Sequence, residues 1–209
     1  MKPLAIDLFC GLGGWAQGLL AEGYDVIGFD IERHEYGEHR YPAQLVLQDV
    51  LTLDGAQFRD AALIVASPPC QAYSYRAMPW SRAKALPPPD NTLFEACWRI
   101  QREASEAAGR HIPLIVENVR GAQKWMGRAR WNHGSYYLWG DVPALMPMTR
   151  AIKVGGGGAD GWFGRNAGVM RQHSSDSPKR RAASALIAKI PLPLARHIGA
   201  VYQPHARNK

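Results

Sequence analysis

A cysteine and a glutamate stand where they could do chemistry on a bound substrate. Cys70 comes after two prolines that follow the buried, β-prone run 62–67, so the backbone holds its thiol at the end of a predicted strand. A thiolate placed there suits nucleophilic catalysis, although a lone cysteine is more often an inert core residue. Glu117 lies in the apolar run 114–118. Because burying an unpaired carboxylate is costly, Glu117 is either salt-bridged or placed to act on a ligand.

Glycines and carboxylates at three other strand ends indicate an adenosine-containing cofactor. The run 4–9 leads into the glycine-rich segment 10–14, where the backbone can approach a ligand closely and a helix N-terminus offers unpaired N–H groups. Asp30 ends the next run, where a carboxylate can accept hydrogen bonds from ribose hydroxyls, and Asp49 follows the third run. The glycines alone would also fit a plain structural turn. Their spacing is not GxGxxG, which makes a dinucleotide the weaker alternative.

The other two cysteines have no predicted catalytic role. Cys97 lies on the apolar stripe of a predicted helix and belongs to the core, whereas Cys10 lies inside the glycine segment, where it packs or contacts the cofactor. Three cysteines with no close pair argue against both a disulfide framework and a zinc cluster. We therefore expect no metal site.

Alternating strands and helices must position these side chains. The apolar runs predict strands over 4–9, 25–30, 44–48, 62–67 and 114–118. Helical patterns cover 14–22 and a longer segment that starts at Asn91 or Thr92 and stops at Gly109. This alternation predicts an α/β fold with a mostly parallel sheet and helices on both faces. In such sheets ligands bind beyond the carboxyl ends of the strands.

The pattern loosens after residue 118. The segment 121–130 is short, basic and partly helical in character, and 136–139 predicts an edge or antiparallel strand. The aperiodic, glycine-rich stretch 141–181 predicts a loop or small lobe. Two C-terminal helices, 181–189 and 194–202, are expected on either side of a break at 191–193. The proline-rich segment 78–90 predicts a long loop beside the site, and such loops often act as lids.

Composition and charge narrow the class of protein. The chain has 209 residues, 46% of them hydrophobic, and its apolar runs are too short to cross a bilayer, so we expect one domain in a cytoplasmic, unsecreted protein. Residues 1–119 carry 10 Lys+Arg against 15 Asp+Glu, and residues 120–209 carry 15 against 3. This uneven distribution of charge favours a polyanionic partner, above all a nucleic acid, over a basic face that is merely solvated.

Three segments, in this order and spacing, resemble the signature motifs of the cytosine-C5 DNA methyltransferases: Phe9-Cys10-Gly11-Leu12-Gly13-Gly14, Pro69-Cys70-Gln71 and Glu117-Asn118-Val119. A fourth, Asn91-Thr92-Leu93-Phe94, is similar to the family segment that leads into the helix before the Glu-Asn-Val strand. The resemblance covers residues 4–119. It implies a Rossmann-like, S-adenosylmethionine-dependent methyltransferase fold.

The resemblance also implies roles for individual residues. The cofactor would be surrounded by Phe9, Gly11, Leu12 and Gly14, with Asp30 on the ribose, Ile31 on the adenine ring, Asp49 at the adenine amine, and Pro69 and Leu93 at the methionine end. The thiolate of Cys70 would add to C6 of a cytosine flipped out of double-stranded DNA, while Glu117 binds N3 and the exocyclic amine. Gln71 and Ser74 would contact the DNA, Ser74 through the phosphate of the flipped nucleotide.

After residue 119 the resemblance thins. The family's Gln-x-Arg-x-Arg motif is present only as Met126-Gly127-Arg128-Ala129-Arg130, so Arg130, supported by Arg128, is the expected contact to cytosine O2. The predicted organisation is a catalytic and cofactor-binding domain over 1–140, a reduced recognition region over 141–181, and helices over 182–209 that pack back on the first domain. The basic run Lys179-Arg180-Arg181 would contact the DNA backbone.

The family's terminal Gly-Asn-Ser-Val motif is missing, and 190–199 would take its place. A recognition region this short predicts low sequence specificity or a very short target. Such reduced forms look like those of bacteriophages and prophages, where methylation of their own DNA would defeat restriction by the host. The expected compartment is then the cytoplasm of a bacterium or of a phage-infected cell.

The leading hypothesis is therefore an S-adenosylmethionine-dependent DNA cytosine-5 methyltransferase. One alternative keeps the chemistry but acts on RNA, although the segment after Cys70 lacks the Cys-Phe-Thr signature of the transfer-RNA branch. Another is a non-catalytic DNA-binding subunit that retains the fold. The presence of Cys70, Glu117 and Arg130 argues against it.

Overall fold

Seven strands form one sheet in the computed structural model, which describes residues 1–74, 87–146, 174 and 177–204. In chain order the strands are β1 (Leu4–Leu8), β2 (Asp25–Asp30), β3 (Gln44–Leu47), β4 (Ala61–Ala66), β5 (Leu114–Asn118), β6 (Trp131–His133) and β7 (Tyr136–Gly140). Their order across the sheet is β3-β2-β1-β4-β5-β7-β6. The first five are mutually parallel, and the hairpin of β6 and β7 adds two antiparallel strands beside β5.

The described helices are α1 (Gly14–Ala21), α2 (Thr92–Ala108), α3 (Gln123–Met126), α4 (Pro178–Ala188) and α5 (Leu192–Tyr202). Short 3-10 turns at Val50–Thr52, Gly55–Phe58, Gln71–Tyr73 and Arg120–Ala122 follow strands β3, β4 and β5. Gly109 ends α2 in the left-handed conformation that favours glycine. Most of these turns lie at the edge of the sheet where the parallel strands end.

The sheet carries apolar side chains on both faces. On one face Ile6 and Ile64 pack with Phe94 and Ile100 of α2, and on the other Leu63 and its neighbours pack with α1 and α5. Burying each large apolar side chain contributes about 1.5–3 kcal/mol. The helices cover both faces of the sheet but not the edge at which the parallel strands end, so a site can form at this edge. The strand order reverses between β1 and β4, the place where ligands bind in such sheets.

The predicted α/β fold with a mostly parallel sheet is confirmed, and the five predicted parallel strands agree with the structure to within one residue at each end. The predicted strand over 136–139 is present and antiparallel, but it is not at the edge of the sheet. That place is taken by β6, which the sequence analysis did not predict because three residues are too few to show alternation.

The two C-terminal helices begin earlier than predicted. Helix α4 starts at Pro178, where the Ser177 side chain accepts a hydrogen bond from the Arg180 amide. Helix α5 starts at Leu192, so Pro193 does not break it. A proline is tolerated in the first turn of a helix because the amide it lacks has no partner there.

Some predictions fall outside the described residues. Residues 78–86 of the expected lid and the glycine cluster 155–164 belong to this group. Within the described part of the chain, no helix is long and apolar enough to span a membrane. In that same part no group of three or more His, Cys, Asp or Glu side chains is arranged to hold a metal ion.

Candidate active site

The glycine segment after β1 is a tight turn with several residues in the left-handed region. Gly11 and Gly13 have φ angles of 50° and 71°, and Phe9, a residue with a side chain, has a φ of 56°. Non-glycine residues rarely adopt such angles, and those that do cluster at functional sites. The Gly13 amide donates to the Cys10 carbonyl at 2.8 Å, and α1 begins at the next residue.

Asp30, at the end of β2, faces this turn. The Gly11 amide donates to its Oδ2 at 2.9 Å, and His34 Nε2 lies 3.6 Å from its Oδ1. Burial alone would raise the pKa of Asp30, but hydrogen bonds from His34 and from the Gly11 amide outweigh burial and lower the pKa. The same contact raises the pKa of His34. The lowered pKa favours the ionised form of Asp30, which can accept hydrogen bonds beside the glycine turn.

The other predicted cofactor residues lie around the same edge. Ile31 is 74% exposed, an apolar surface that a planar ring could cover. Asp49 caps the following 3-10 turn, and its Oδ1 accepts from the Leu51 amide at 2.9 Å. The remaining predicted cofactor residues are Phe9 and Leu93, which are half-buried, Leu12 and Gly14, which are buried, and Pro69, which is exposed.

The C-terminal segment reaches the glycine turn. A Cβ atom at Gly14 would lie 2.3 Å from the backbone nitrogen of Ile190, so only glycine allows this approach. The Tyr136 hydroxyl donates to the Lys189 carbonyl at 2.8 Å and fixes the same segment from β7. The region that was expected to replace the family's terminal motif thus lies against the start of α1.

Cys70 is half-buried in a turn that several hydrogen bonds hold in place. Some of these bonds form within the turn, and others come from α1 and β5. Its carbonyl accepts from the Tyr73 amide at 3.0 Å and from the Ser74 hydroxyl at 2.8 Å. Trp15 of α1 donates to the Ser67 hydroxyl at 3.0 Å, and the Asn118 amide group donates to the Pro68 carbonyl at 2.8 Å. These contacts fix the backbone on both sides of Cys70. None of the three cysteines forms a disulfide.

Glu117 is 7% exposed on β5, between β4 and β7. It lies opposite Leu138 of β7, and its charge contributes, after burial, to the raised pKa of Tyr136. Asn118, the next residue, makes the bond to Pro68 just described. The structure therefore brings the Glu117 strand and the Cys70 turn together at one edge of the sheet.

Arg128 and Arg130 follow α3 on an exposed stretch beside this edge. The Arg130 amide donates to the carbonyl of Leu138, which faces Glu117 across β5 and β7. Between the two arginines, the Ala129 amide donates to the side chain of Gln123 at 3.1 Å. Gln123 thus braces the arginine segment, a role that its position in the sequence did not suggest.

The predicted DNA-contacting residues lie in two separate places. Gln71 is exposed beside Cys70, and the Ser74 hydroxyl donates to the Cys70 carbonyl. In the first turn of α4, Lys179 and Arg181 are exposed and Arg180 is half-buried. A contact of any of them with DNA remains a prediction.

A cavity of about 660 Å³ lies between α2, α3 and the turn at Val50–Thr52. It is lined by Leu51, Thr92, Glu95, Ala96, Trp98, Arg99, Arg102 and Met126. None of these was predicted as a site residue, although the cavity adjoins Asp49 and Leu93 along the chain.

Asn118 ties β5 to the Cys70 turn through its bond to the Pro68 carbonyl, a contact that the sequence did not predict. For the methyl transfer that the sequence resemblance implies, we expect Asn118→Ala to lower kcat by about 10- to 100-fold, because the Cys70 turn would lose its tie to β5 and small displacements of reacting groups are costly. The freed Pro68 carbonyl should also cost about 1–3 kcal/mol of stability. Steady-state kinetics and urea unfolding measure the two effects. Asn132→Ala is the matched control: it removes an exposed side-chain bond to the Gly134 carbonyl at 3.1 Å, so it should leave kcat unchanged and cost less stability than Asn118→Ala.

Asp7 was not predicted as a site residue, yet it is fully buried beside the glycine turn. Its Oδ2 accepts from the Tyr41 hydroxyl at 3.2 Å, and its Oδ1 has no hydrogen-bond partner among the described residues. Burial raises the pKa of Asp7 well above its usual value, the Tyr41 bond opposes this, and the charge of Asp30 adds to the rise. Burial therefore favours the protonated form of Asp7, whereas the pKa of Asp30 is shifted in the opposite direction.

This burial predicts a pH-dependent stability. Above the ordinary Asp pKa of about 3.9 the unfolded chain releases the Asp7 proton while the folded chain keeps it, so stability falls as pH rises towards the folded pKa. Asp7→Asn, which mimics the protonated form, should stabilise the protein at pH 7 by about 1 kcal/mol or more. That gain should vanish near pH 3.5. Urea unfolding at both pH values measures it, with Asp60→Asn as the control that removes an exposed carboxylate.

Several solved structures are similar to part of this chain. It is 25% identical to a DNA modification methyltransferase encoded within a prophage (E. coli), with a TM-score of 0.40 over 60% of this chain and 34% of that one. It is 17% identical to S. pombe Dnmt2 methyltransferase, with a TM-score of 0.39 over 59% of this chain and 36% of that one. It is 18% identical to Entamoeba histolytica methyltransferase EhMeth, with a TM-score of 0.39 over 59% of this chain and 40% of that one. The chain therefore spans between a third and two fifths of the length of these proteins. No curated protein sequence matches it.

A family model gives the clearest relationship. The model described as C-5 cytosine-specific DNA methylase matches residues 4–132. The match contains the glycine turn, Asp30, the Cys70 turn, Glu117 and both arginines of the segment after α3. The chain therefore belongs to the C-5 cytosine-specific DNA methylase family.

Proposed function

We propose that the protein transfers a methyl group from S-adenosylmethionine to C5 of cytosine in DNA, through a covalent adduct of Cys70. The observation that carries this proposal is the bond of the Asn118 side chain to the Pro68 carbonyl at 2.8 Å. It joins the turn that holds a nucleophile to the strand that holds a buried carboxylate. A substrate ring could then meet Cys70 and Glu117 at the same edge of the sheet.

The residues at the ends of β1 and β2 suit the cofactor. The ionised Asp30 can accept hydrogen bonds from ribose hydroxyls, and the exposed Ile31 can pack against adenine. Asp49 would meet the adenine amine, while Phe9, Gly11, Leu12 and Gly14 surround the cofactor and Pro69 and Leu93 flank its methionine end. When bound, S-adenosylmethionine supplies an electrophilic methyl group.

The chain's own residues would carry the rest of the reaction. The Cys70 thiolate forms a bond to C6 of cytosine, and the ring electrons displaced by this addition make C5 nucleophilic. Glu117 hydrogen-bonds N3 and the exocyclic amine and takes up the charge that develops on the ring, while Arg130, supported by Arg128, contacts O2. Once C5 carries the methyl group, loss of its proton to a base restores the double bond and expels the Cys70 thiolate.

The charge distribution supports a nucleic acid as the substrate, and the family match favours DNA. Residues 120–209 carry 15 Lys+Arg against 3 Asp+Glu, and the matching family model is described as a DNA methylase. The target cytosine would leave the duplex to reach Cys70, next to Gln71 and Ser74. We propose that residues 1–140 and 182–209 form the catalytic unit, that 141–181 recognises the target, and that Lys179, Arg180 and Arg181 contact the DNA backbone.

Tritium transfer tests the proposal. The purified protein is incubated with S-adenosylmethionine labelled in its methyl group and with either mixed-sequence duplex DNA or transfer RNA, and the products are digested to nucleosides. Label in 5-methyldeoxycytidine from the DNA arm is the expected result. Label only in 5-methylcytidine from the RNA arm would place the same chemistry on RNA. Cofactor and DNA binding without label in either arm would favour a non-catalytic subunit.

A further inference from the structure

Tyr41 lies on the segment between β2 and β3, and its side chain packs against the glycine turn. Its side chain is buried, at 9% exposure, in the apolar cluster that contains Cys10 and Trp15. Its hydroxyl donates to Oδ2 of the buried Asp7 at 3.2 Å. A phenol that comes from a loop with exposed residues is thus held within the core directly beneath the turn.

Two glycines leave the space that this ring occupies. A Cβ atom at Gly28 of β2 would lie 2.3 Å from Tyr41 Cζ, closer than real carbon atoms approach. At Gly13 a Cβ atom would lie 2.9 Å from Tyr41 Cδ2 and 2.4 Å from Cδ of Pro42. Gly13 is also the residue with φ of 71° that directs the chain into α1. The ring therefore packs between the strand and the turn, and each surface is shaped to receive it.

The segment that follows Asp30 is consequently fixed at both of its ends. At its start the Gly11 amide donates to Asp30, and the Cys10 amide donates to the Phe29 carbonyl at 3.2 Å. At its end Tyr41 holds Gly13 and Asp7. The residues expected to bind ribose and adenine, Asp30 and Ile31, lie on the stretch that these contacts bracket.

We propose that Tyr41 is a positioning residue for the cofactor site: its ring and hydroxyl set the conformation of the glycine turn and of the segment that carries Asp30 and Ile31. The inference rests on the proposed function, because it assigns the turn to the cofactor. Tyr41 touches neither the substrate nor the reacting atoms in this role. Its loss should therefore weaken cofactor binding and spare the chemical step.

Tyr41→Phe tests the proposal with a small change. The variant keeps the ring but frees the Asp7 carboxyl, so the turn should open more often. In the cofactor-free protein we expect amide hydrogen exchange at Gly11 and Gly13 to accelerate about tenfold. By calorimetry the Kd for S-adenosylhomocysteine should rise about five- to tenfold. The KM for S-adenosylmethionine should rise to the same extent, with kcat within about twofold of the wild type.

Tyr24→Phe is the matched control. Tyr24 is 1% exposed in the same apolar cluster, and its hydroxyl donates to the Gly199 carbonyl at 3.0 Å, so this variant also loses one buried hydroxyl hydrogen bond. It should lose a similar amount of unfolding free energy while leaving exchange at the turn and the Kd unchanged. Equal effects of the two variants on the turn would overturn the proposal, since Tyr41 would then act only through global stability.

The two readouts separate this proposal from the proposed function. Unchanged exchange at Gly11 and Gly13 in Tyr41→Phe overturns the positioning role, whatever the cofactor affinity. Faster exchange with weaker S-adenosylhomocysteine binding supports it. If the wild type binds no S-adenosylhomocysteine, the proposed function fails and the cofactor part of the inference with it, whereas faster exchange would still support the role of Tyr41 in shaping the turn.

Discussion

Cys70→Ala is expected to reduce methyl transfer by at least about a thousandfold while S-adenosylhomocysteine still binds with wild-type affinity. The substitution removes the atom that would add to C6, and the uncatalysed ring is too weak a nucleophile at C5 to replace this step. The turn itself should survive, because Tyr73 and Ser74 donate to the Cys70 carbonyl, which the variant retains. Tritium transfer to DNA and calorimetry give the two readouts.

Cys97→Ala is the matched control for this experiment. Cys97 is fully buried on α2, and burial raises the pKa of its thiol, so it cannot serve as a ready nucleophile. Its substitution should lower stability modestly and leave the turnover of the folded protein unchanged. Wild-type turnover in Cys70→Ala would contradict covalent catalysis by this residue.

DNA that contains 5-fluorocytosine tests the covalent step directly. In the presence of S-adenosylmethionine, the wild-type protein should form a complex with this DNA that resists denaturation by detergent. Once C5 has received the methyl group it still carries fluorine, which cannot leave as a proton does, so the bond from Cys70 to C6 persists. Cys70→Ala should form no such complex, and Cys97→Ala should form it normally. A trapped complex in Cys70→Ala would show that another nucleophile is used.

Local patterns in the sequence were sufficient to locate most of the fold's parallel core. The runs that end at Asp30 and Asn118 each contain a short apolar stretch with polar or turn residues beside it, so their limits agree with β2 and β5. Parallel strands end at one edge of a sheet, and for this reason Cys70 and Glu117 could be expected near each other before their contacts were known. Most of the site residues could thus be predicted from the types of residue at the ends of the strands.

Contacts between distant segments could not be predicted in the same way. The bond from Asn118 to Pro68 and that from Tyr41 to Asp7 join residues far apart in the chain, and neither side chain disturbs the periodicity of its own segment. Asp7 appears in the sequence only as an interruption of an apolar run. The residues that position the site are therefore visible only once the strands are assembled, whereas those that would react were identifiable from type and spacing.

Glu117→Gln should lower kcat by about 10²- to 10³-fold with little change in the KM for DNA. Glutamine has nearly the same shape, and its amide can still accept from the exocyclic amine and donate to N3, so binding of the ground-state cytosine is retained. Glutamine cannot transfer a proton to N3 as charge develops on the ring. The substitution therefore destabilises the transition state more than the bound ground state. Steady-state kinetics with duplex DNA measure both constants.

The exposed Glu106→Gln on α2 is the matched control, because it removes the same charge far from the strand ends and should leave kcat unchanged. A Tyr136 titration supplies a second check: burial and then the Glu117 charge raise the pKa of this phenol, so Glu117→Gln should lower that pKa if the carboxylate is ionised in the free protein. A kcat within about threefold of the wild type would restrict Glu117 to a structural role on β5. A fall in kcat with an unchanged KM would instead place its carboxyl group at the reacting ring, since only an interaction that strengthens in the transition state gives that combination.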